Sequence, residues 1–415
     1  MAYARPRPAR QAIVSIVFAT LIFFLYLAPF SRDLGGWALG ELFINYQGGF
    51  VRRGLPGELV YQFSLWRDAS PTAIFRGIFI TLYALNIIVY VAISRAESRI
   101  LHRAILLLAP TLLLFPVYDF PAYARKDVLT TLLLGVHALI AQRVLLGRLS
   151  SGTYRKLLVT VVVPLLIAVL LSHDVQIFFI SLHFFISWQV LKNERKSPEG
   201  FLLSVYVPVA LVSLLPIIFH GDRETALAIY SSWQPLFEEF PWCERKSGIT
   251  ALGWDYTQQL RHLREILHDT AAAALFLVGL ILSILPYLVF YGVSHFRRVY
   301  EGMRPRVLKW LASLSLLTPL ALFIVAGWDY GRWIHLVTTG LMVVIFCDPR
   351  FDRFEAPLDS ILTRARGLEA APYLLAAGLY IAAWHVPHCC AIRSLQGGLF
   401  DAARHSLAAI TGASS

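Results

Sequence analysis

The sequence predicts an all-α, polytopic transmembrane helical bundle, a single membrane domain of about eleven spans. Three observations carry this expectation. Apolar runs of about 18 to 22 residues recur along the chain, each long enough to cross ~30 Å of hydrocarbon. The composition is 57% hydrophobic and 15% charged, with a mean hydropathy of +0.62, which excludes an ordinary soluble domain. Lysine and arginine, finally, concentrate in short loops on one side, as the positive-inside rule requires. A β-barrel is excluded as well, because alternating strands would not give continuous apolar runs.

Taken in order, Arg5, Arg7 and Arg10 precede an apolar run at about 12–30. That run is long and lacks a small-residue cleavage site, so it reads as a retained first span. Further spans are expected at about 73–94, 102–118, 128–146, 157–172, 175–191, 201–219, 270–293, 307–326, 332–347 and 371–387. His173 and Asp174 break one long apolar stretch into a helical hairpin. Pro110, Pro116, Pro164, Pro208, Pro216, Pro286 and Pro319 fall inside spans and predict kinked helices around a cavity. A cytoplasmic N-terminus puts 22 of the 37 Lys and Arg in cytoplasmic segments. Membrane orientation therefore explains the net charge of +11 better than nucleic acid does. The two long loops, about 31–72 and 220–269, then fall on the outer face, and 348–370 is cytoplasmic. The four cysteines (Cys243, Cys347, Cys389, Cys390) lack metal-ligand spacing, and disulfides are expected only on an oxidising outer side.

An ionisable residue near a span costs ~2.5–3.5 kcal/mol at the helix centre, so each one needs a reason. Four clusters qualify, and this topology puts all four at the outer face. The first is NYQGGFVRRGLPGE, residues 45–58, with Arg52, Arg53 and Glu58 among glycines that permit close backbone approach. Paired guanidiniums suit a phosphate or diphosphate, and equally suit lipid headgroups. The second is YDFPAYARKD, in which Asp119, Arg125, Lys126 and Asp127 surround a helix start. Cations there oppose the macrodipole unless an anion lies among them; the alternative is a cap by Asp127 with Arg125 and Lys126 reaching headgroups. The third is Ser172-His173-Asp174, a candidate general base or a helix cap. Neighbours in sequence do not face each other on a helix, so His173 and Asp174 need not be a dyad. The fourth is GWDYGRWIH, where Asp329 and Arg332 can form a structural i,i+3 pair and His335 shares the face of Arg332. Trp328, Tyr330 and Trp333 fit an interfacial belt. The loop 220–269, with Trp233, Trp242, Trp254, Asp255 and Tyr256, suits a cover lying over the site or a bare interfacial helix.

No P-loop, HExxH, GxSxG or acidic DxD pair is present, and Asp33 and Glu41 are the only acids between the first span and Asn45. Five outer-face cations, Arg52, Arg53, Arg125, Lys126 and Arg332, against a few single carboxylates argue for diphosphate binding with no metal and no cofactor. GGFVRRGLPGE, the ARKD helix start, the SHD crest and DYGRW resemble the bacterial EpsG-like and O-antigen-polymerase-like polytopic proteins, which border the GT-C glycosyltransferases. These pieces cover about a tenth of the chain, and Asp174 stands where such relatives tend to have glutamate. The resemblance implies a glycosyltransferase or polymerase at the periplasmic face of a bacterial inner membrane, acting on undecaprenyl-diphosphate-linked oligosaccharide in surface polysaccharide synthesis. Its partners would be membrane lipids and other polysaccharide assembly proteins, and not nucleic acid.

The expected division of labour follows from these residues. Arg52, Arg53, Arg125, Lys126 and Arg332 would neutralise the leaving diphosphate. One of His173, Asp174, Asp329 or Glu58 would deprotonate the acceptor, with His173 first. The rival from another class is a transporter or flippase of lipid-linked sugars. It predicts ionisable residues at the midplane and a two-half repeat, neither of which is apparent in the sequence.

Overall fold

The computed structural model describes residues 8–400 apart from 32–35, 97–99, 193–197, 238–247, most of 255–267, 300–316, 326–328, 348–370 and single positions after 389. Asp33, Trp242, Asp255, Tyr256, Trp328, the loop 348–370 expected to be cytoplasmic and most of the expected span at 307–326 thus lie outside the described residues.

The described chain is helical, and eight of its helices are long and apolar enough to cross a membrane. The protein is a polytopic membrane protein. These helices are α1 (Pro8–Ser31), α4 (Pro71–Ile93), α6 (Asp127–Leu145), α7 (Ser151–Ser172), α8 (the 3-10 turn and helix Asp174–Leu191), α9 (Glu199–Ile218), α11 (Thr270–Val299) and α12 (Tyr330–Cys347). Shorter elements lie between them: α2 (Gly36–Leu42), α3 (Leu55–Arg67), α5 (Ile100–Leu107), α10 (Arg223–Trp233) and α13 (Ala371–Ala382). Local chemistry sets several starts. Ser70 Oγ accepts from Ala73 N just ahead of Pro71, and Asp222 accepts from Thr225 N at 2.8 Å. In α7 the backbone widens into a π-turn over Leu158–Val162 immediately before Pro164, whose ring cannot donate to the carbonyl one turn back.

Helix α12 is almost wholly enclosed by its neighbours, and it packs with α4 on either side of α6. Gly135 makes part of that contact possible: a Cβ there would lie 2.8 Å from Val89 and 2.9 Å from Tyr90. The outward faces of the other spans carry exposed Ile, Leu and Phe, the pattern expected of helices whose solvent is lipid.

The run expected as a continuous span at 102–118 is instead broken. Helix α5 ends at Leu107, and after Pro110 the chain proceeds through tight turns and two four-residue helices, Phe115–Tyr118 and Phe120–Tyr123. It still crosses the bundle. Arg103 hydrogen-bonds Ser15 near the start of α1, whereas Arg125 pairs with Glu41 beyond the other end of α1. Irregular backbone inside a membrane protein must be satisfied by protein. Here the Tyr26 hydroxyl donates to the Leu113 carbonyl, the Tyr83 hydroxyl to that of Tyr123, and His335 Nδ1 and Thr338 Oγ1 both donate to that of Thr111. Three prolines (Pro110, Pro116, Pro121) dictate this break, and side chains from α1, α4 and α12 satisfy it.

The described parts of both long loops fold onto one end of the bundle. The Trp233 indole donates to the Phe43 carbonyl at 2.7 Å and packs on the Phe43 ring, and Arg52 N donates to the Phe219 carbonyl. The turn Gly248–Gly253 lies against α2, where a Cβ on Gly248 would stand 2.6 Å from Glu41 N.

Candidate functional site

Four segments distant in sequence meet at this end in two ion clusters, which adjoin where Lys126 precedes Asp127 and His173 precedes Asp174 and together make one charged network. Arg52 and Arg53 share Asp174: Arg52 Nη1 lies 3.2 Å from Oδ2, and Arg53 donates from Nε to Oδ1 at 2.8 Å. Arg53 also reaches Glu41 at 3.5 Å, and Arg125 closes on the other oxygen of the same carboxylate. Arg332 grips Asp127 with two donors, Nε to Oδ2 at 2.7 Å and Nη2 to Oδ1 at 3.0 Å, and its third nitrogen bonds Asp329. His173 Nε2 donates to Asp127 Oδ1 at 2.9 Å. Lys126 Nζ donates to the Arg53 carbonyl at 2.8 Å.

The local backbone explains how the arginines are delivered. Arg53 sits at φ 65, in the left-handed region that a residue with a Cβ adopts at a cost of about 1–2 kcal/mol. Its carbonyl is thereby turned to Lys126 while its side chain points to Asp174. Glycine at 57 lets helix α3 start against the preceding strand of chain, since a Cβ would fall 2.0 Å from the Ile44 carbonyl oxygen.

The network grades from wet to dry. Side-chain exposure is 22% for Arg53 and 24% for Asp329, and falls to 4% for Arg332 and for Glu41. An anion arriving from outside therefore meets Arg52 and Arg53 first. Five basic side chains face four carboxylates (Glu41, Asp127, Asp174, Asp329), an excess of one positive charge when Lys126 is protonated. Burial pushes the Lys126 ammonium down to about 7, partly countered by Glu41 and worsened by Arg53. Burial alone would raise the Glu41 carboxyl, but Arg125 and then Arg53 hold it well below the usual carboxylate range.

Against the sequence-based expectations, Arg52, Arg53, Arg125, Lys126, Arg332, His173, Asp174 and Asp329 all converge. Glu58 does not. Its carboxylate accepts from Tyr46 N, from the Gln47 amide and from the Gln62 amide, so it buckles the loop 45–58 rather than facing the network. Asp127 is not a helix cap; it is the hub that joins His173 to Arg332. The partner of His173 is thus Asp127 and not its sequence neighbour. Asp329 and Arg332 do form the i,i+3 pair. Tyr330 and Trp333 are buried rather than placed in an interfacial belt. Two residues were missed. Glu41, an acid inside the otherwise apolar GWALGEL, carried a signal in its isolation. His388 pairs with Asp119 at 2.9 Å and had none.

A second polar group lies deeper. His137 and His183 are fully buried with their Nδ1 atoms 2.9 Å apart, and His137 Nε2 continues through the Tyr154 hydroxyl to Ser187 and Tyr206. His137 is ten residues into α6, about 15 Å from Asp127 along the helix. Ionisable side chains therefore do occur near the middle of spans, contrary to the sequence-based expectation. Comparisons of the chain with protein-family models, with characterised proteins and with solved structures return no match.

Proposed function

We propose that the protein is a membrane glycosyltransferase of the polysaccharide-polymerase type. It acts on undecaprenyl-diphosphate-linked oligosaccharide at the periplasmic face of a bacterial inner membrane, with a cytoplasmic N-terminus. The observation that carries this reading is the pair of adjoining ion clusters that gather Arg52, Arg53, Arg125, Lys126 and Arg332, whose more exposed guanidiniums are Arg52 and Arg53. Four forked, permanently charged guanidiniums preorganised by carboxylates are the arrangement that stabilises a departing diphosphate without reorganising at the moment of bond breaking, and Lys126 adds its charge when protonated. Cys389 is disulfide-bonded, and it adjoins the His388 that pairs with Asp119, which supports an oxidising compartment on this side. His173 serves here as a positioning residue that orients Asp127. The test is polymer formation in cells depending on this chain. Arg52→Ala and Arg53→Ala should each shorten or abolish the polymer at unchanged protein level, and normal polymer in both would refute the assignment.

A second reading rests on a separate observation. The buried chain from His183 through His137 and Tyr154 to Tyr206 is a feature of proton-coupled transport. A flippase would move labelled lipid-linked sugar across proteoliposomes in proportion to a pH gradient, and a polymerase would not.

A further inference from the structure

Behind the ion network, between α1, α4, α6, α12 and the broken segment, lies a small cavity with room for about one water-sized guest. Asp127 belongs to both the network and the cavity wall. Most of the wall is apolar or aromatic, with Tyr26, Tyr83 and Phe115 among its rings. Its polar groups can be sorted by what they have left to offer. The two tyrosine hydroxyls give their protons to backbone carbonyls. Thr131 Oγ1 donates to the Val128 carbonyl, so it must accept from Asn86 Nδ2 at 3.2 Å, which leaves Asn86 Oδ1 as the amide's other end. That oxygen is buried and has no hydrogen-bond partner. His335 Nδ1 lies 3.0 Å from the Thr111 carbonyl, which can only accept, so Nδ1 carries the hydrogen and Nε2 of the neutral ring is a bare lone pair. The ring is fixed by stacking on Phe115 at a centroid distance of 4.7 Å. The hydroxyl protons and the Nδ1 hydrogen of His335 are spent on the broken backbone, and Asn86 Oδ1 and His335 Nε2 are left as acceptors.

A pocket of acceptors selects a guest that donates. We infer that this cavity is a subsite for a hydroxyl donor whose reacting O–H is held by His335 Nε2, which takes its proton, while Asn86 Oδ1 accepts the second hydrogen when the guest is water. The inference rests on the transfer reading above for what that hydroxyl does next. As the hydroxyl oxygen forms its bond to the anomeric carbon, its proton passes to His335 Nε2. The bond between that carbon and the diphosphate breaks, and the leaving oxygen keeps the electron pair, its charge met by the arginines. The imidazolium then returns the proton to solvent. Asp127, which lines the same cavity and is held by Arg332, stabilises the imidazolium. Water and an acceptor-sugar hydroxyl share this chemistry: the first gives hydrolysis and free glycan, the second gives chain extension.

Full-length protein in proteoliposomes, supplied with undecaprenyl-diphosphate-linked oligosaccharide, would be assayed for both products between pH 5.5 and 8.5. His335→Gln should lower kcat for whichever product forms by about a hundredfold, and Asn86→Leu should do so where the product is free glycan. The KM for the lipid-linked donor should stay within about threefold, and His335→Gln should flatten the acid limb of the pH profile. Extended glycan identifies the sugar hydroxyl as the guest, and free glycan identifies water. Variants with wild-type kcat and pH profile would overturn the inference. Neither product from the wild-type chain would refute the transfer reading instead. The subsite is then decided by nitrogen NMR of the histidine-labelled protein in nanodiscs. His335 Nε2 should be unprotonated, with a signal that moves in Asn86→Leu; a protonated or insensitive Nε2 would overturn the subsite whatever the enzyme does.

Discussion

Asp174→Asn tests whether the rim arginines are held ready for an anion or are simply satisfied by their own carboxylate. Asp174 lies 3.2 Å from Arg52 and 2.8 Å from Arg53, so it occupies the ground that a diphosphate would have to share. At an effective dielectric of about 20, each pair carries roughly 5–6 kcal/mol of gross attraction. Desolvation and partial exposure reduce the net coupling to about 1–2 kcal/mol. Removing one negative charge without changing shape should therefore tighten anion binding by about five- to thirtyfold. The cost appears in stability, as an isosteric amide holds the guanidiniums less well, by about 1–3 kcal/mol. The assay is calorimetric titration of nanodisc-embedded protein with inorganic pyrophosphate at fixed ionic strength, alongside a thermal melt to establish folding. Arg52→Ala is the control and should weaken binding. Unchanged or weaker pyrophosphate binding in folded Asp174→Asn would show that the arginines serve the carboxylate and not an incoming anion.

Other outcomes follow from the same contacts. Glu58→Gln should retain polymer formation to within about twofold while lowering the melting midpoint, since it loses charge-assisted bonds worth about 1 kcal/mol in the loop and touches no network residue. Gly331→Ala should fail to reach wild-type folded yield, because its Cβ would lie 2.0 Å from the Pro387 carbonyl oxygen and the backbone, unlike a side-chain tip, cannot swing aside. Lys126 gives a pH signature with a definite sign. Its folded value, about 7, lies below the ordinary lysine value of 10.5, so between these the unfolded chain holds a proton that the folded chain lacks. Stability should rise with pH across that window, and Lys126→Met should abolish the rise in melts taken at pH 7 to 10. Affinity for sulfate, whose charge is constant there, should fall as pH climbs through about 7 in the wild type only.

Much of the architecture was legible. Helical spans announce themselves through run length, because hydrocarbon tolerates no unpaired backbone and no long polar stretch. The same logic flagged Arg52, Arg53, Arg125, Lys126, His173, Asp174, Asp329 and Arg332, since charges beside a span are costly and rare. It failed where local grammar has two readings. Pro110 and Pro116 were read as kinks in a continuous span, whereas three prolines within twelve residues leave a helix no room to re-form between them, and the result is a turn-rich crossing. Glu58 was grouped with the arginines because it neighbours them in sequence, but its contacts are with Tyr46, Gln47 and Gln62.

By itself, then, the sequence determined that this is a helical membrane protein with an excess of charged side chains gathered at span ends. Hydropathy and charge bias are properties of short stretches and need no knowledge of the fold. Only the tertiary structure decided who pairs with whom. It made Asp127 the hub between His173 and Arg332, drew Glu41 in to balance Arg125, and left Asn86 and His335 facing the same small cavity. The ion pairs among them join residues separated by 46 to 205 positions, and no local pattern encodes them. They arise because burial forces each charge to find an opposite charge, and packing alone determines which one is within reach.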